Sequence, residues 1–287
     1  MKTVAIIGPN GQLGTDLVKT FSKQNWNVIP LKHSDIEITD IVSVNNCLKS
    51  MTFDWVINTA AFHKVDECEK DTGKAWNINA FGQMNIASVA NEVGAKSVYI
   101  SSDYVFNGKK DIPYLSNDPL SPINAYGHSK AAGEITTLSI NSSNVVMRIS
   151  SVFGTAGSSG KGGNFIETII GKAKAGEELK IVGDIKMSPT YTVHAAEKLE
   201  IALSQGFTGI FHGSNRGVAS WYHFATYVLD SSKLKTSIME TESDLNDTLK
   251  RPKFSALSNE IDETIFGISN SWQSAVNDYL IEKGYRK

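Results

Sequence analysis

The sequence predicts an α/β protein built on a doubly wound parallel sheet, with a smaller, discontinuous α/β lobe for a substrate. Two observations carry this. Short, wholly apolar runs alternate with segments of helical periodicity as far as Ile149, and a glycine-rich loop sits at the first joint between them. Strands that are apolar throughout are buried on both faces, as parallel strands covered by helices are.

Taken in order, residues 4–7 form the first such run, ended by Gly8, and Leu13, Leu17, Val18 and Phe21 then recur at helical spacing. The unit repeats. A strand at 28–31 precedes a helix at 41–48, and a strand at 55–57 precedes a long helix at 76–93. A strand at 96–100, a helix at 125–138 and a strand at 144–149 complete the alternation. After Phe153 the pattern loosens into Gly154-Thr155-Ala156-Gly157-Ser158-Ser159-Gly160-Lys161-Gly162-Gly163, too long and glycine-rich for a simple turn, which reads as a flexible crossing to the second lobe. Residues 1–153 are therefore assigned to the dinucleotide-binding domain and residues 154–287 mainly to the substrate lobe. A helix at 193–203 and a strand at 209–212 indicate a return to the main sheet within about 188–214.

The 287 residues are 41% hydrophobic and 20% charged, an ordinary globular balance, and a formal net charge of -2 supplies no field to draw nucleic acid or an anionic membrane. No run of about 18 apolar residues is available to span a bilayer. Cys47 and Cys68 lack CxxC spacing, which argues against a disulfide framework or a thiolate metal site. The apolar run near Met1 is too short for a signal peptide and has no cleavage pattern, so the expected location is the cytoplasm. Neither nucleic acid nor a membrane is an expected partner. Monomer and homodimer are both left open.

Gly8-Pro9-Asn10-Gly11-Gln12-Leu13-Gly14 places three glycines three apart between the first strand and the first helix. Glycine permits the tight turn, lets backbone approach a pyrophosphate and allows close packing of helix on strand, while the helix amino terminus faces the anion. Gly8, Asn10, Gly11, Gln12, Leu13 and Gly14 are thus candidate cofactor ligands of a Rossmann-type dinucleotide site. NAD enzymes place an acid at the end of the second strand, on the ribose 2′-OH. Here that strand ends in Leu31-Lys32-His33, and two potentially cationic side chains suit a 2′-phosphate instead. NADP(H) is therefore preferred, with NAD(H) still allowed because Lys32 and His33 also read as a solvated turn. Asp40 and Ile41 are placed toward the adenine side, and Ala60 and Ala61, small residues after the third strand, suit a dinucleotide lying across the strand ends.

Tyr126 and Lys130 are four residues apart, hence on one face of a helix. A phenol is a poor acid–base group at neutral pH, and a nearby ammonium is expected to lower its pKa. Ser102, at the carboxyl end of the fourth strand, could hydrogen-bond the carbonyl oxygen that Tyr126 protonates while a nicotinamide reduces the carbon. Ser102, Tyr126 and Lys130 are the expected catalytic set, with Tyr126 and Lys130 also meeting the cofactor. Asp66, Glu67, Glu69 and Asp71 read as the solvated start of a helix, and Trp221 and Trp272 as core.

Together the glycine loop, Ser102 and Tyr126-xxx-Lys130 resemble the extended short-chain dehydrogenase/reductase superfamily. More narrowly, Gly11-Gln12-Leu13-Gly14, Asn58-Thr59-Ala60-Ala61, Val65-Asp66, Ser101-Ser102-Asp103-Tyr104-Val105-Phe106, Ser121-Pro122-Ile123-Asn124-Ala125-Tyr126-Gly127, Ser188-Pro189-Thr190 and Arg251-Pro252 resemble the dTDP-4-dehydrorhamnose reductase family nearly end to end. The resemblance implies NADPH-dependent reduction of a 4-keto group on a dTDP-linked 6-deoxyhexose, yielding dTDP-L-rhamnose, with a nucleotide sugar as the partner molecule. It also implies a substrate-facing set of His63, Val65, Asp103, Tyr104, Ser151, Asn164 and Arg251. Three positions depart from the family pattern. Ser151 stands where the family has a Trp lining the sugar site. Phe62-His63-Lys64 precedes Val65-Asp66 where the family often reads Tyr-Thr-x. Asp16 is in place for a metal that some members bind, but Val193 replaces a needed glutamate, so no metal is expected.

Other readings differ in what they require. A nucleotide-sugar 4,6-dehydratase needs an adjacent Asp-Glu pair, and Asp103 is followed by Tyr104. A 4-epimerase needs little beyond Ser-Tyr-Lys and tightly held NAD. A non-catalytic NADP-binding regulatory subunit is the non-enzyme alternative, set against the joint presence of Ser102, Tyr126 and Lys130.

Overall fold

The computed structural model describes residues 1–156, 163–244, 249–267 and 270–286. Most of the expected glycine-rich crossing, residues 157–162, lies outside them. In chain order the first half holds β1 (Thr3–Ile7), α1 (Gln12–Lys23), β2 (Asn27–Leu31), α2 (Ile41–Leu48), β3 (Trp55–Asn58), α3 (Val65–Lys70) and α4 (Thr72–Trp76). A π-helical turn, Asn77–Phe81, joins α4 to α5 (Gly82–Glu92), and β4 (Lys96–Ser102), α6 (Ala125–Ile140) and β5 (Val145–Ile149) follow. The second half holds β6 (Val152–Phe153), α7 (Phe165–Lys174), β7 (Leu179–Val182), β8 (Lys186–Met187), β9 (Thr190–Tyr191) and α8 (Thr192–Ser204). It continues through β10 (Gly209–His212), β11 (Ala219–Ser220), α9 (Trp221–Ser231), β12 (Ile238–Thr241) and α10 (Trp272–Glu282).

Six strands form one parallel sheet in the order β2-β1-β3-β4-β5-β10. The alternation of side chains along β1 shows why helices must cover both faces. Val4 and Ile6 join a core with Leu13, Leu17 and Phe21 of α1 and Ala195 and Leu199 of α8, while Ala5 and Ile7 join another with Val44 and Leu48 of α2 and Ile86 and Val89 of α5. Leu17 and Phe21 are fully buried, each stabilising the fold by about 1.5–3 kcal/mol. Strand β10 docks beside β5 through Gly209–Val145 and Ile210–Val146 pairing, after 59 residues or more of intervening lobe sequence have left the sheet and returned. A separate core built from Ile166 and Ile170 of α7, Phe224 and Val228 of α9, and Trp272, Val276 and Tyr279 of α10 holds the lobe together.

Because β1 pairs with β2 on one side and with β3 on the other, the chain direction reverses between β1 and β3. Open α/β sheets bind ligands at such a switch point, outside the carboxyl ends of the strands.

Candidate active site

A cavity of about 850 Å³ opens at that point, lined from the carboxyl ends of β1, β3, β4 and β5 and continued by the starts of α7 and α9. Its floor is the glycine loop. Gly8 has φ 79°, and a Cβ there would come within 2.5 Å of Thr59 Oγ1. At Gly14 a Cβ would lie 2.1 Å from the Gly8 carbonyl oxygen, so the loop closes on α1 only because that residue has no side chain. The helix begins at Gly11, whose lack of a side chain leaves the first amides of α1 without a capping acceptor and free to meet an anion. These features fit a dinucleotide pyrophosphate.

Asn10, Gln12, Leu13, Lys32, His33, Ala60 and Ala61 also line the cavity, as expected from the sequence. Lys32 and His33 stand at its edge, where His33 Nε2 lies 3.4 Å from Glu37. Asp40 and Ile41 do not line it. The Asp40 carboxylate accepts the Val42 N–H at 2.9 Å and caps α2, and Ile41 is exposed on that helix.

Helix α6 presents Tyr126 and Lys130. Its start is fixed from two sides: Asn124 accepts the Gly127 N–H at 2.8 Å, and Glu69 accepts the Ala125 N–H at 2.6 Å. Glu69 is thus a cap rather than a solvated acid, and Asp71 caps α4 by accepting the Lys74 N–H. Gly127 lets the helix press against β4's following turn, since a Cβ there would sit 2.2 Å from the Tyr104 carbonyl oxygen. Among the described residues no cluster of three or more His, Cys, Asp or Glu could hold a metal ion.

Electrostatics within this site correct one expectation. Burial pushes the Tyr126 phenol above its ordinary value, opposed by its hydrogen bond with Ser102, and burial pushes Lys130 down to about 7. Lys130 does not point its charge at the phenol. Its Nζ donates to the Ile100 carbonyl at 2.6 Å and lies 4.0 Å from the centre of the Tyr99 ring. The phenol therefore rests protonated, which is the form a proton donor needs.

His63, Val65, Tyr104, Ser151 and Asn164 line the cavity, and the Tyr104 ring meets Tyr126 edge to face at 5.8 Å. Ser151 holds a left-handed backbone, φ 46°. Asn164 spends its polar atoms on the protein: it caps α7 through the Glu167 N–H and donates to the Gly154 carbonyl and the Tyr279 hydroxyl. Asp103 reaches the cavity wall but is only 3% exposed, its carboxylate held by three serine hydroxyls. Arg251 is not in the lining; it pairs with Asp66 at 3.1 Å and bonds the Tyr104 hydroxyl from behind.

Two aromatic residues were not anticipated here. Phe165 and Trp221, at the starts of α7 and α9, line the lobe end of the cavity with ring centres 4.6 Å apart. Trp272 is core, but Trp221 is only half-buried and presents a face to the cavity. Helical periodicity marks both as apolar positions and cannot tell that the first residue of a helix projects beyond the core it flanks.

Comparison with known proteins agrees with this geometry. The family described as RmlD substrate binding domain matches residues 1–284. The spore coat polysaccharide biosynthesis protein SpsK of Bacillus subtilis is 38% identical over 284 residues, covering 99% of this chain and 98% of that protein. A dTDP-4-dehydrorhamnose reductase of Aggregatibacter actinomycetemcomitans is 30% identical, covering 97% of this chain and 98% of that one. The crystal structure of dTDP-4-dehydrorhamnose reductase from Bacillus anthracis in complex with NADP superposes with a TM-score of 0.92 at 32% identity, over 98% of this chain and all of that one.

Proposed function

The chain belongs to the RmlD substrate binding domain family, and from that premise we propose that it is an NADPH-dependent oxidoreductase reducing dTDP-4-dehydrorhamnose to dTDP-L-rhamnose. It would act in the cytoplasm, as a monomer or homodimer, in polysaccharide biosynthesis. The observation that carries this reading is the convergence of Ser102, Tyr126 and Lys130 on the same cavity as the glycine loop.

In this account the loop amides and the α1 amino terminus hold the pyrophosphate, and Lys32 and His33 meet the 2′-phosphate at the rim. The bound nicotinamide supplies hydride to C4 of the sugar. Tyr126 gives its phenolic proton to the carbonyl oxygen, so ketone, hydride and proton together make the secondary alcohol. Lys130, buried one turn further along α6, lies where it can reach a nicotinamide ribose and the phenolate left behind. The nucleotide end of the substrate extends away from the cofactor into the lobe, where Phe165 and Trp221 offer flat apolar faces for a pyrimidine.

A sister reductase acting on a different nucleotide-linked 6-deoxyhexose is favoured by one feature, Ser151 in place of the family's sugar-lining Trp. A panel of dTDP-, UDP- and GDP-linked 4-keto sugars with NADPH, read by thermal shift and by NADPH oxidation, separates the two. The proposal expects the dTDP-linked 6-deoxy-4-ketohexose to stabilise most and to be reduced.

A further inference from the structure

The carboxylate of Asp103 lies beside the reaction centre with no free oxygen. Ser102 Oγ donates to its Oδ1 at 3.0 Å, and Ser150 Oγ at 2.8 Å and Ser255 Oγ at 2.5 Å donate to its Oδ2. These three serines come from the ends of β4 and β5 and from a segment 152 residues further along the chain. At 3% exposure, and with its acceptor sites filled, this side chain is built to hold hydroxyls rather than to greet a sugar. Three donors favour the ionised carboxylate, against the burial that pushes its pKa up.

The consequence falls on Ser102. Its single hydrogen is committed to Asp103, and the Tyr104 N–H donates to its oxygen at 3.2 Å. What remains toward the cavity is one lone pair, and the group beside it is the Tyr126 phenol, which is in hydrogen-bond contact. At rest, therefore, Ser102 can accept from Tyr126 but cannot donate to a ketone.

Resting on the reductase reading above, we infer that Asp103 is a positioning residue that parks the Ser102 hydrogen away from the substrate until Tyr126 has given up its proton. Once the phenol proton has passed to the sugar oxygen, Ser102 turns its O–H from Asp103 to the phenolate. One hydrogen bond is exchanged for another, and no proton crosses Ser102. The serine thus stabilises the spent acid, and Asp103 sets the moment at which it does so.

The test is Asp103→Asn, with Ser255→Ala as a second variant that loosens Asp103 from outside the cavity. Asn keeps the size of the side chain but turns one acceptor into a donor facing donors. The expected result is a fall in kcat of at least about tenfold, with KM and NADPH affinity within about threefold of the parent. Ser255→Ala shifts kcat in the same direction by less. A second readout needs no sugar: the ultraviolet titration of Tyr126 with NADP⁺ present, taken as the difference from the matching Tyr126→Phe protein. Charged and titratable groups facing this phenol are Asp103, Tyr104 and Tyr99 from β4 and the turn after it, Cys68 from α3, and Lys130 on its own helix. Asp103 raises the Tyr126 pKa, so its removal should move the phenol's ionisation to lower pH. A rise in KM with kcat unchanged would show Asp103 to be a sugar ligand and overturn the inference, as would parent-level kcat and phenol titration in both variants. A shifted titration in a protein that reduces no sugar would leave the inference standing and remove the reductase reading instead.

Discussion

Glu134 and Arg148 face each other inside the protein, Nη2 to Oε2 at 2.8 Å and Nε to Oε1 at 2.9 Å, with both side chains at most 2% exposed. This two-pronged pair ties α6 to β5, and Glu134 lies one turn beyond Lys130 on the helix that carries Tyr126. Removing one partner strands the other charge in the interior. Glu134→Ala should therefore cost about 3–5 kcal/mol of stability, measured by urea unfolding, far more than loss of an exposed pair. A change below about 1 kcal/mol would mean that solvent reaches Arg148 when its partner is gone.

NADPH should bind more tightly than NADH, because Lys32 and His33 occupy the cavity rim where an NAD site presents an acid. Lys32→Asp should reverse the order. Fluorescence titration of the unmodified protein settles the point, and tighter binding of NADH would refute the assignment.

Trp221 and Trp272 should separate cleanly. Loss of a stacking face is worth about 1–3 kcal/mol per base, so Trp221→Ala should raise the KM for the nucleotide sugar roughly tenfold with NADPH affinity unchanged. Trp272→Ala empties a packed core position and should instead lower stability by about 3–5 kcal/mol. If Trp221→Ala leaves KM untouched, the nucleotide does not lie against α9.

Turnover should need no divalent ion. The Asp16 carboxylate is buried and accepts the Thr192 hydroxyl at 2.5 Å, and Val193 packs against the lobe core instead of offering an oxygen. Activity lost to EDTA and restored by magnesium would contradict this.

The sheet was legible because buried parallel strands write themselves as unbroken apolar runs, such as Val4-Ala5-Ile6-Ile7, and because Gly8, Gly11 and Gly14 mark one joint. Ser102, Tyr126 and Lys130 were legible through spacing and placement at strand ends. What could not be read were relationships across the chain. Nothing in the local sequence shows that Ser255 reaches Asp103, that Arg251 turns to Asp66, or that Lys130 lies against Tyr99 and not Tyr126. Asp40 misled for a related reason: an acid just after a strand can serve a ligand or cap the next helix, and here it caps.

The most direct test of the central claim is the reduction rate of Tyr126→Phe on the best nucleotide sugar, measured beside its NADPH affinity. The ring still packs against Tyr104, but the proton donor is gone, and general acid catalysis is typically worth about 10²–10⁴-fold. The account predicts a loss of at least about a hundredfold in kcat with NADPH binding largely intact. Retention of more than about a tenth of the parent rate would mean that the phenol is not the acid.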